Sequence, residues 1–189
     1  YIANGNSGKI VLGLDRVRKL CEFLGNPQDK VKLIHISGTN GKGSVGTFIA
    51  SVLTASGYKV GRYTSPEVLN YRDKFSINGQ WISEDEFASL TDVISRFVDK
   101  MPDRPTPFEI ETALAYYYFE QNDCDFAVVE CGMGGKEDAT NVADNKVLSV
   151  LTSVALDHTQ FLGDTLEKIT EQKIGIVKGS PLVSAGQCS

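Results

Sequence analysis

The sequence lacks the features that mark membrane, secreted and nucleic-acid-binding proteins. Among its 189 residues no apolar run approaches the length of a membrane span, and the first residues, YIANGNSGK, lack the charged-then-apolar pattern of a signal peptide. Its 19 basic residues are outnumbered by 24 acidic ones and form no cluster suited to a phosphate backbone. We therefore expect a cytoplasmic protein that binds neither membranes nor nucleic acids.

Histidine and cysteine are also too sparse for a structural zinc site. The four cysteines show no C-x-x-C spacing, and the only histidines are His35 and His158. We expect the cysteines to be reduced, mainly structural thiols. The chain begins without methionine and stops at GQCS just after an apolar run, so we also expect it to be a fragment of a longer protein.

Length and hydrophobic patterning predict one α/β domain. A chain of this size with 41% hydrophobic residues can bury one core. The apolar runs VKLIHIS, DFAVVEC and KVLSVLTSVA are typical of strands buried on both faces of a sheet, and YKVGRYTS and PLVSA are further strand candidates. The pair Asn78-Gly79 between alternating residues predicts a small β-hairpin insertion.

Helices are predicted between these strands. After VKLIHIS, apolar residues recur at helical spacing at positions 45, 48, 49, 52 and 53. Capping boxes open two further helices at Ser83 and Thr106, the second with Pro107 at its first position. The remaining predicted helices are GLDRVRKLCEFL and TLEKITEQKIGIVK. Alternation of strands and helices favours a mostly parallel sheet flanked by helices.

A glycine-rich stretch, HISGTNGKGS, joins the first buried strand to a helix. It departs from the strict Walker A pattern, because Ile36 takes the first glycine position and Gly43 follows Lys42 where Ser or Thr is required. Backbone N–H groups of such a loop at a helix N-terminus make a cradle for phosphate, Lys42 can reach the outer phosphates, and Ser44 can offer a hydroxyl to Mg²⁺. The alternative is a tight turn with an exposed lysine. Three glycines and a lysine at this junction favour phosphate binding.

Polar residues also follow the other predicted strands. Ser65, Glu130 and His158 come after the second, third and fourth strands, at the edge where parallel sheets bind ligands. A buried carboxylate at Glu130 is costly without a partner, and a bound cation would remove that cost. The three residues therefore form a candidate metal site. Taken singly, each has a plainer explanation: a turn or helix cap, an Arg or Lys partner, and a hydrogen-bonded loop histidine.

Lys173 lies in the apolar stripe of the helix that begins near Thr165. An aliphatic stem that carries its ammonium group to water is one explanation. A functional role is the other, because a lysine in a less polar site is more easily deprotonated and can take up CO₂ to form a carbamate, a carboxylate-like ligand.

These motifs, in this order, resemble the Mur ligase superfamily of ATP-dependent amide ligases and, within it, the folylpolyglutamate synthase and dihydrofolate synthase family. The resemblance runs from about residue 13 to residue 183 through HISGTNGKGSV, GRYTSP, TPFEIETALAYYYF, VVECGMGGKEDATNV and LDHTQFLGD. Only about thirty residues precede the glycine stretch, where peptidoglycan Mur enzymes carry a UDP-substrate domain, and this favours the folate branch. Glu67 stands where the family usually has histidine, and Cys131 where it usually has valine.

The resemblance implies a P-loop NTPase-like central domain over residues 1–189, which docks in a monomeric protein on a C-terminal ligase domain that this chain lacks. It implies catalytic roles for Lys42, Glu130, His158 and Lys173, the last carbamylated and supporting a metal. The implied ligands are Gly38, Thr39, Asn40, Gly41, Lys42, Gly43 and Ser44 for ATP, then Ser65, Glu130 and His158 for Mg²⁺, and Thr106, Phe108, Asp138 and Ala139 for the pterin.

The implied reaction adds L-glutamate to the γ-carboxyl of a (tetrahydro)folate through an acyl phosphate made from ATP, with dihydropteroate as a further substrate. Two enzymatic alternatives stay open: a P-loop NTPase or phosphotransferase that makes no amide, and another Mur-type amino acid ligase. A third is a nucleotide-binding module that acts only when docked to a partner domain.

Overall fold

The computed structural model describes residues 13–184, which form a seven-stranded sheet with helices on both faces. The strands are β1 (Lys32–Ser37), β2 (Val60–Tyr63), β3 (Phe75–Ile77), β4 (Gln80–Trp81), β5 (Phe126–Glu130), β6 (Lys146–Leu151) and β7 (Leu182–Ser184). The α-helices are α1 (Asp15–Phe23), α2 (Lys42–Ala55), α3 (Glu84–Val98), α4 (Pro107–Gln121), α5 (Thr159–Leu162) and α6 (Leu166–Ile174). Short 3₁₀ segments span Pro27–Asp29, Tyr71–Lys74 and Ala139–Val142.

The sheet is mostly parallel. Its strand order is β4-β3-β2-β5-β1-β6-β7, in which β2, β5, β1, β6 and β7 run parallel and the β3–β4 hairpin pairs antiparallel at one edge. Both Asn78 and Gly79 have positive φ, as the two-residue turn between β3 and β4 requires. The predicted fold class, including the hairpin, is confirmed.

The sheet separates two apolar cores. The larger one lies between the sheet and α1, α3 and α4, and the smaller lies under α2. Side chains of β1 alternate between them, with Leu33 in the larger core and Ile34 and Ile36 in the smaller. Burial on both faces explains why β1 and β5 are continuous apolar runs in the sequence.

The predicted α2 is present, but its apolar stripe is only partly buried. Ile49 and Leu53 pack in the smaller core, whereas Phe48 and Val52 are 70% and 65% exposed. The helix meets the sheet on the side of Gly46, which is buried and where an added Cβ would lie 3.4 Å from Ile36 Cδ1. The spacing of apolar residues therefore predicted the helix but overestimated the face that the sheet covers.

Capping explains where α4 begins. The Thr106 hydroxyl accepts a hydrogen bond from the Glu109 amide, and the Glu109 carboxylate accepts one from the Thr106 amide at 2.7 Å. This is the predicted capping box, with Pro107 at the first helical position. Arg16 of α1 donates to the same Glu109 carboxylate at 3.0 Å, so the box also joins α1 to α4.

The thiols agree with expectation over the described residues. Cys21, Cys124 and Cys131 are free and buried, and burial raises the pKa of each thiol. Cys188 lies outside the described residues. Between residues 13 and 184, no helix has both the length and the apolar character needed to cross a bilayer.

Candidate functional site

The glycine loop leaves the end of β1 and opens α2. Gly38 has φ +151°, and a Cβ on it would lie 1.7 Å from Thr152 Oγ1, so a side chain there would displace the segment that follows β6. The Thr39 amide donates to the Ser153 carbonyl at 2.7 Å, and Asn40 exchanges two hydrogen bonds with the Ser153 side chain. Gly41, with φ +83°, is the N-cap of α2, and no side chain caps the helix. Ser153 thus holds the loop from the side, while the start of α2 has no side-chain cap.

Lys42 folds back over this loop. Its ammonium group donates to the carbonyl oxygens of Gly38 and Thr39 at 3.2 and 3.3 Å, and lies 3.8 Å from Glu130 Oε1. The strand ends therefore bring a cation and a carboxylate together beside the glycine loop, as their positions in the sequence suggested.

Glu130 ends β5 and is only 8% exposed. The Thr64 hydroxyl donates to its Oε2 at 2.5 Å, and the Ser65 amide donates to the same carboxylate. Burial raises the pKa of Glu130 despite these bonds and despite the positive charges of Lys42 and Arg62. The protein's own groups do not fully compensate this carboxylate, and a divalent cation would.

The other predicted metal ligands differ in how they relate to Glu130. Ser65 approaches it through its backbone amide, while the hydroxyl on Glu130 belongs to Thr64. His158 lies after β6, with φ +49° and its Nε2 3.6 Å from Asp157 Oδ2. Across residues 13–184, no hydrogen bond or ion pair joins His158 to Glu130, and no group of three His, Cys, Asp or Glu side chains is arranged for a metal. The metal site stays a prediction.

Lys173 is buried rather than directed to water. It is 2% exposed, and its ammonium group donates to the Gly38 carbonyl at 2.9 Å, the same oxygen that Lys42 contacts. Burial, then the charge of Lys42, lowers the pKa of Lys173. Two lysines from different helices therefore converge on one carbonyl of the glycine loop.

The predicted pterin residues gather around Gly132. A Cβ on Gly132 would lie 2.5 Å from Phe108 Cζ, so the phenyl ring rests directly on the glycine backbone. The Asp138 carboxylate, 5% exposed, accepts hydrogen bonds from the amides of Met133 at 2.8 Å and Thr140 at 3.0 Å, and from the Gly132 amide. Burial raises the pKa of Asp138 although these donors oppose the shift. Thr106 lies at the start of the same helix as Phe108, and Ala139 follows Asp138.

We call residues 132–136 the second glycine loop. This loop connects the residues around Lys42 and Lys173 with the residues around Phe108 and Asp138. Ser37 lies one residue before the first glycine loop, residues 38–44. Its hydroxyl donates to the Gly134 carbonyl at 2.6 Å. On the other side, the Lys136 amide donates to the Gln172 carbonyl at 2.9 Å, and a Cβ on Gly135 would lie 2.6 Å from the Lys173 carbonyl. The second glycine loop therefore touches β1, α6 and the Phe108 ring at once.

Sequence reasoning missed several residues of this site, namely Ser37, Arg62, Thr64 and Thr140. The alternation of side chains along a strand could have indicated two of them. Val60 faces the core under α2, so Arg62 and Thr64, two and four residues later, lie on the same face, toward Glu130. Ser37 and Thr140 carry no comparable signal, because their contacts join segments far apart in the chain.

The chain is similar to known proteins over most of its length. Residues 36–185 match the Mur ligase middle domain family. The dihydrofolate synthase/folylpolyglutamate synthase of Bacillus subtilis is 42% identical over 179 residues, which are 92% of this chain and 41% of the relative. The chain thus spans about two fifths of the length of this relative and of several other curated relatives.

Solved structures share the fold. An "FPGS-AMPPCP-folate complex" superposes with a TM-score of 0.92 at 40% identity, covering 97% of this chain and 46% of that chain. "E.coli FolC in complex with DHPP and ADP" superposes with a TM-score of 0.87 at 37% identity, covering 93% of this chain and 42% of that chain.

Proposed function

The chain belongs to the Mur ligase family, of which it contains the middle domain, and on that premise we propose that it is the ATP-binding part of an amide ligase acting on folates. The enzyme adds L-glutamate to the γ-carboxyl of a (tetrahydro)folate, with dihydropteroate as a further substrate. One observation carries the proposal: Lys42, Glu130 and the residues around Phe108 and Asp138 lie in one connected set of contacts at the ends of the parallel strands. The complexes of similar proteins with AMPPCP and folate, and with ADP and DHPP, support it.

ATP is assigned to the first glycine loop, residues 38–44. The first N–H groups of α2 carry no side-chain cap, and such groups bind phosphate oxygens with help from the helix dipole. Lys42 starts from two carbonyl contacts within its own loop and exchanges them for the β- and γ-phosphates. This places a positive charge where the transferred phosphoryl group gains negative charge.

Of the three residues proposed as metal ligands, Glu130 is the one whose surroundings suit a magnesium ion. Its carboxylate is buried and incompletely compensated, and oxygen ligands are what Mg²⁺ prefers. Glu130, Ser65 and His158 are the residues proposed to hold the ion. When bound, Mg²⁺ offsets charge on the phosphates during transfer.

The proposed reaction has two steps. A carboxylate oxygen of the folate attacks the γ-phosphorus of ATP, the bond between that phosphorus and the bridging oxygen breaks, and ADP leaves an acyl phosphate. The amino group of L-glutamate then attacks the acyl carbon, phosphate leaves, and a proton is released from nitrogen, which completes the amide. Phe108 offers the pterin a stacking face, and Asp138 fixes the second glycine loop beneath it. Glutamate is assigned to a further domain on which this one docks, in a monomeric, cytoplasmic protein.

An assay of the complete protein that contains this chain tests the proposal. ADP formation is measured with and without L-glutamate, separately with dihydropteroate and with a reduced folate, and the product is identified by its added glutamate in mass spectrometry. We expect ADP and amide to form in equal amounts, and only when both substrates are present. Steady ATP hydrolysis without either substrate would instead support an NTPase.

Carbamylation of Lys173 makes a separate prediction. The neutral amine attacks CO₂ and loses a proton, and the resulting carbamate is an anion beside the Lys42 ammonium, whose charge lowers the pKa of Lys173. In the complete protein under labelled CO₂, we expect an NMR carbamate signal that Lys173→Arg abolishes, together with a loss of activity of about tenfold or more. Lys146→Arg is the matched control, because burial also lowers the pKa of Lys146, to about 8. A signal that disappears with Lys146 rather than Lys173 would refute the assignment.

A further inference from the structure

A chain of hydrogen bonds runs from β1 to the backbone that supports Phe108, and the function proposed above makes no use of its first member. His35 is fully buried in β1, and its Nε2 lies 2.8 Å from Thr140 Oγ1 and 3.1 Å from Cys131 Sγ. The Thr140 hydroxyl in turn makes a short hydrogen bond to Asp138 Oδ1. Asp138 accepts the Met133 amide on its other oxygen. Residues 35 and 140 are 105 positions apart, so only the fold brings them together.

The direction of each hydrogen bond follows from Asp138. Both oxygens of the Asp138 carboxylate accept backbone amides, so the Thr140 hydroxyl proton points toward Oδ1 and the hydroxyl oxygen accepts from His35. His35 therefore carries its proton on Nε2 and directs it at the Thr140 oxygen, with Cys131 Sγ as a weaker second acceptor. The other nitrogen, Nδ1, has no hydrogen-bond partner and is buried, which agrees with this tautomer because a buried N–H without a partner is rare. Burial and the charges of Lys146 and Lys178 lower the pKa of His35, which favours the neutral ring.

The same face of β1 holds the second glycine loop at two points. Ser37, two residues after His35 and hence on the same side of the strand, donates directly to the Gly134 carbonyl. His35 reaches the loop indirectly, through Thr140 and Asp138, at the Gly132 and Met133 amides. The Phe108 ring rests on Gly132, one of the two loop residues whose amides donate to Asp138. A shift of Asp138 would therefore move the backbone that supports the ring.

We propose that His35 is a positioning residue for the pterin substrate, which it orients by donating to Thr140 and so fixing Asp138 and the backbone under Phe108. A polar ring in the core is otherwise a cost, since an apolar side chain would fill the same place without desolvating two ring nitrogens. Buried hydrogen bonds that follow one another in a chain polarise each other. His35 therefore affects Asp138 although it does not touch the ligand. The identity of that ligand rests on the function proposed above.

The test measures dissociation constants of a reduced folate, dihydropteroate and AMPPCP in the complete protein. Thr140→Val removes the hydroxyl at nearly constant shape, and Thr140→Ser keeps it. His35→Leu removes the ring donor, and His35→Gln keeps an N–H of similar reach. We expect Thr140→Val to weaken binding of the pterin ligands about tenfold and His35→Leu about fivefold, with AMPPCP changed less than about twofold. The Ser and Gln variants should recover most of the affinity.

The double variant separates positioning from general damage. If His35 acts through Thr140, then His35→Leu adds nothing once Thr140 is valine, whereas independent structural effects would add. Ser149→Ala, which removes another buried hydroxyl on β6 that bonds Ser180, is the control and should leave both ligands unaffected. Thermal unfolding checks each variant, and His35→Asn, too short to reach Thr140, replaces His35→Leu if that variant does not fold.

Additive losses in the double variant, or equal losses for AMPPCP and the pterin ligands, would overturn the role of His35. So would unchanged pterin affinity in His35→Leu. If the unmodified protein binds neither pterin ligand, the proposed function fails instead, and the two results are therefore distinguishable.

Discussion

Replacing Lys42 with methionine in the complete protein is expected to lower kcat by about a thousandfold or more, because phosphoryl transfer depends on charges placed beside the transferred group. The ammonium group lies between the glycine loop and Glu130, 3.8 Å from that carboxylate, and in the proposed complex it meets the γ-phosphate. Methionine keeps the length of the aliphatic stem but removes the charge. The measurement is glutamate-dependent ADP formation at saturating ATP.

A matched lysine controls for loss of charge alone. Lys100 is exposed just after α3, and its ammonium group lies over the Phe97 ring, 5.8 Å from the ring centroid. Lys100→Met should retain full turnover. Turnover of Lys42→Met within a few-fold of the unmodified protein would remove Lys42 from the proposed mechanism.

Replacing Glu130 with glutamine is expected to abolish most activity while leaving the fold as stable or more stable. The amide keeps the shape and can still accept from Thr64, but it lacks the charge that a magnesium ion requires. Turnover should fall by about a hundredfold or more, as loss of a metal-bound charge predicts. Because the buried carboxylate is incompletely compensated, its removal should not lower the midpoint of unfolding.

The pH dependence of this stability difference has a definite sign. The pKa of Glu130 is higher in the folded protein than its ordinary value of 4.5, so the folded state binds this proton more tightly than the unfolded state. Ionisation of Glu130 therefore costs stability as the pH rises from 4.5 through the folded pKa, and the cost is complete above it. The advantage of Glu130→Gln, measured by denaturant unfolding without ligands, should be larger near neutral pH than below 4.5. A variant that is less stable at both would show that Glu130 stabilises the fold.

Much of the fold could be predicted because its signals are local. The capping box at Thr106, the Asn78-Gly79 turn and the apolar runs of β1 and β5 each specify their structure within a few residues. Which face of a helix is buried depends on its packing against other elements and has no local signal. Phe48 repeats at helical spacing yet is exposed, because the depth of Gly46 sets how α2 meets the sheet.

The residues of the candidate site also differ in whether their positions could be predicted from the sequence. Lys42 and Glu130 could be placed together because both follow strands of one parallel sheet. The hydroxyl that donates to Glu130 is that of Thr64 rather than Ser65. Which of these two side chains faces Glu130 depends on where β2 ends and on the pleat of the strand. The link from His35 to Asp138 has no sequence signal, since it crosses from β1 to the segment before β6 through side chains alone.

The close packing of Phe108 on Gly132 has a consequence for sequence variation at residue 132. The surface under the ring is main chain, and even the smallest added side chain would lie 2.5 Å from the ring edge. Even Gly132→Ala would therefore displace the Phe108 ring. The ring, and not an unusual backbone angle, restricts residue 132 to glycine.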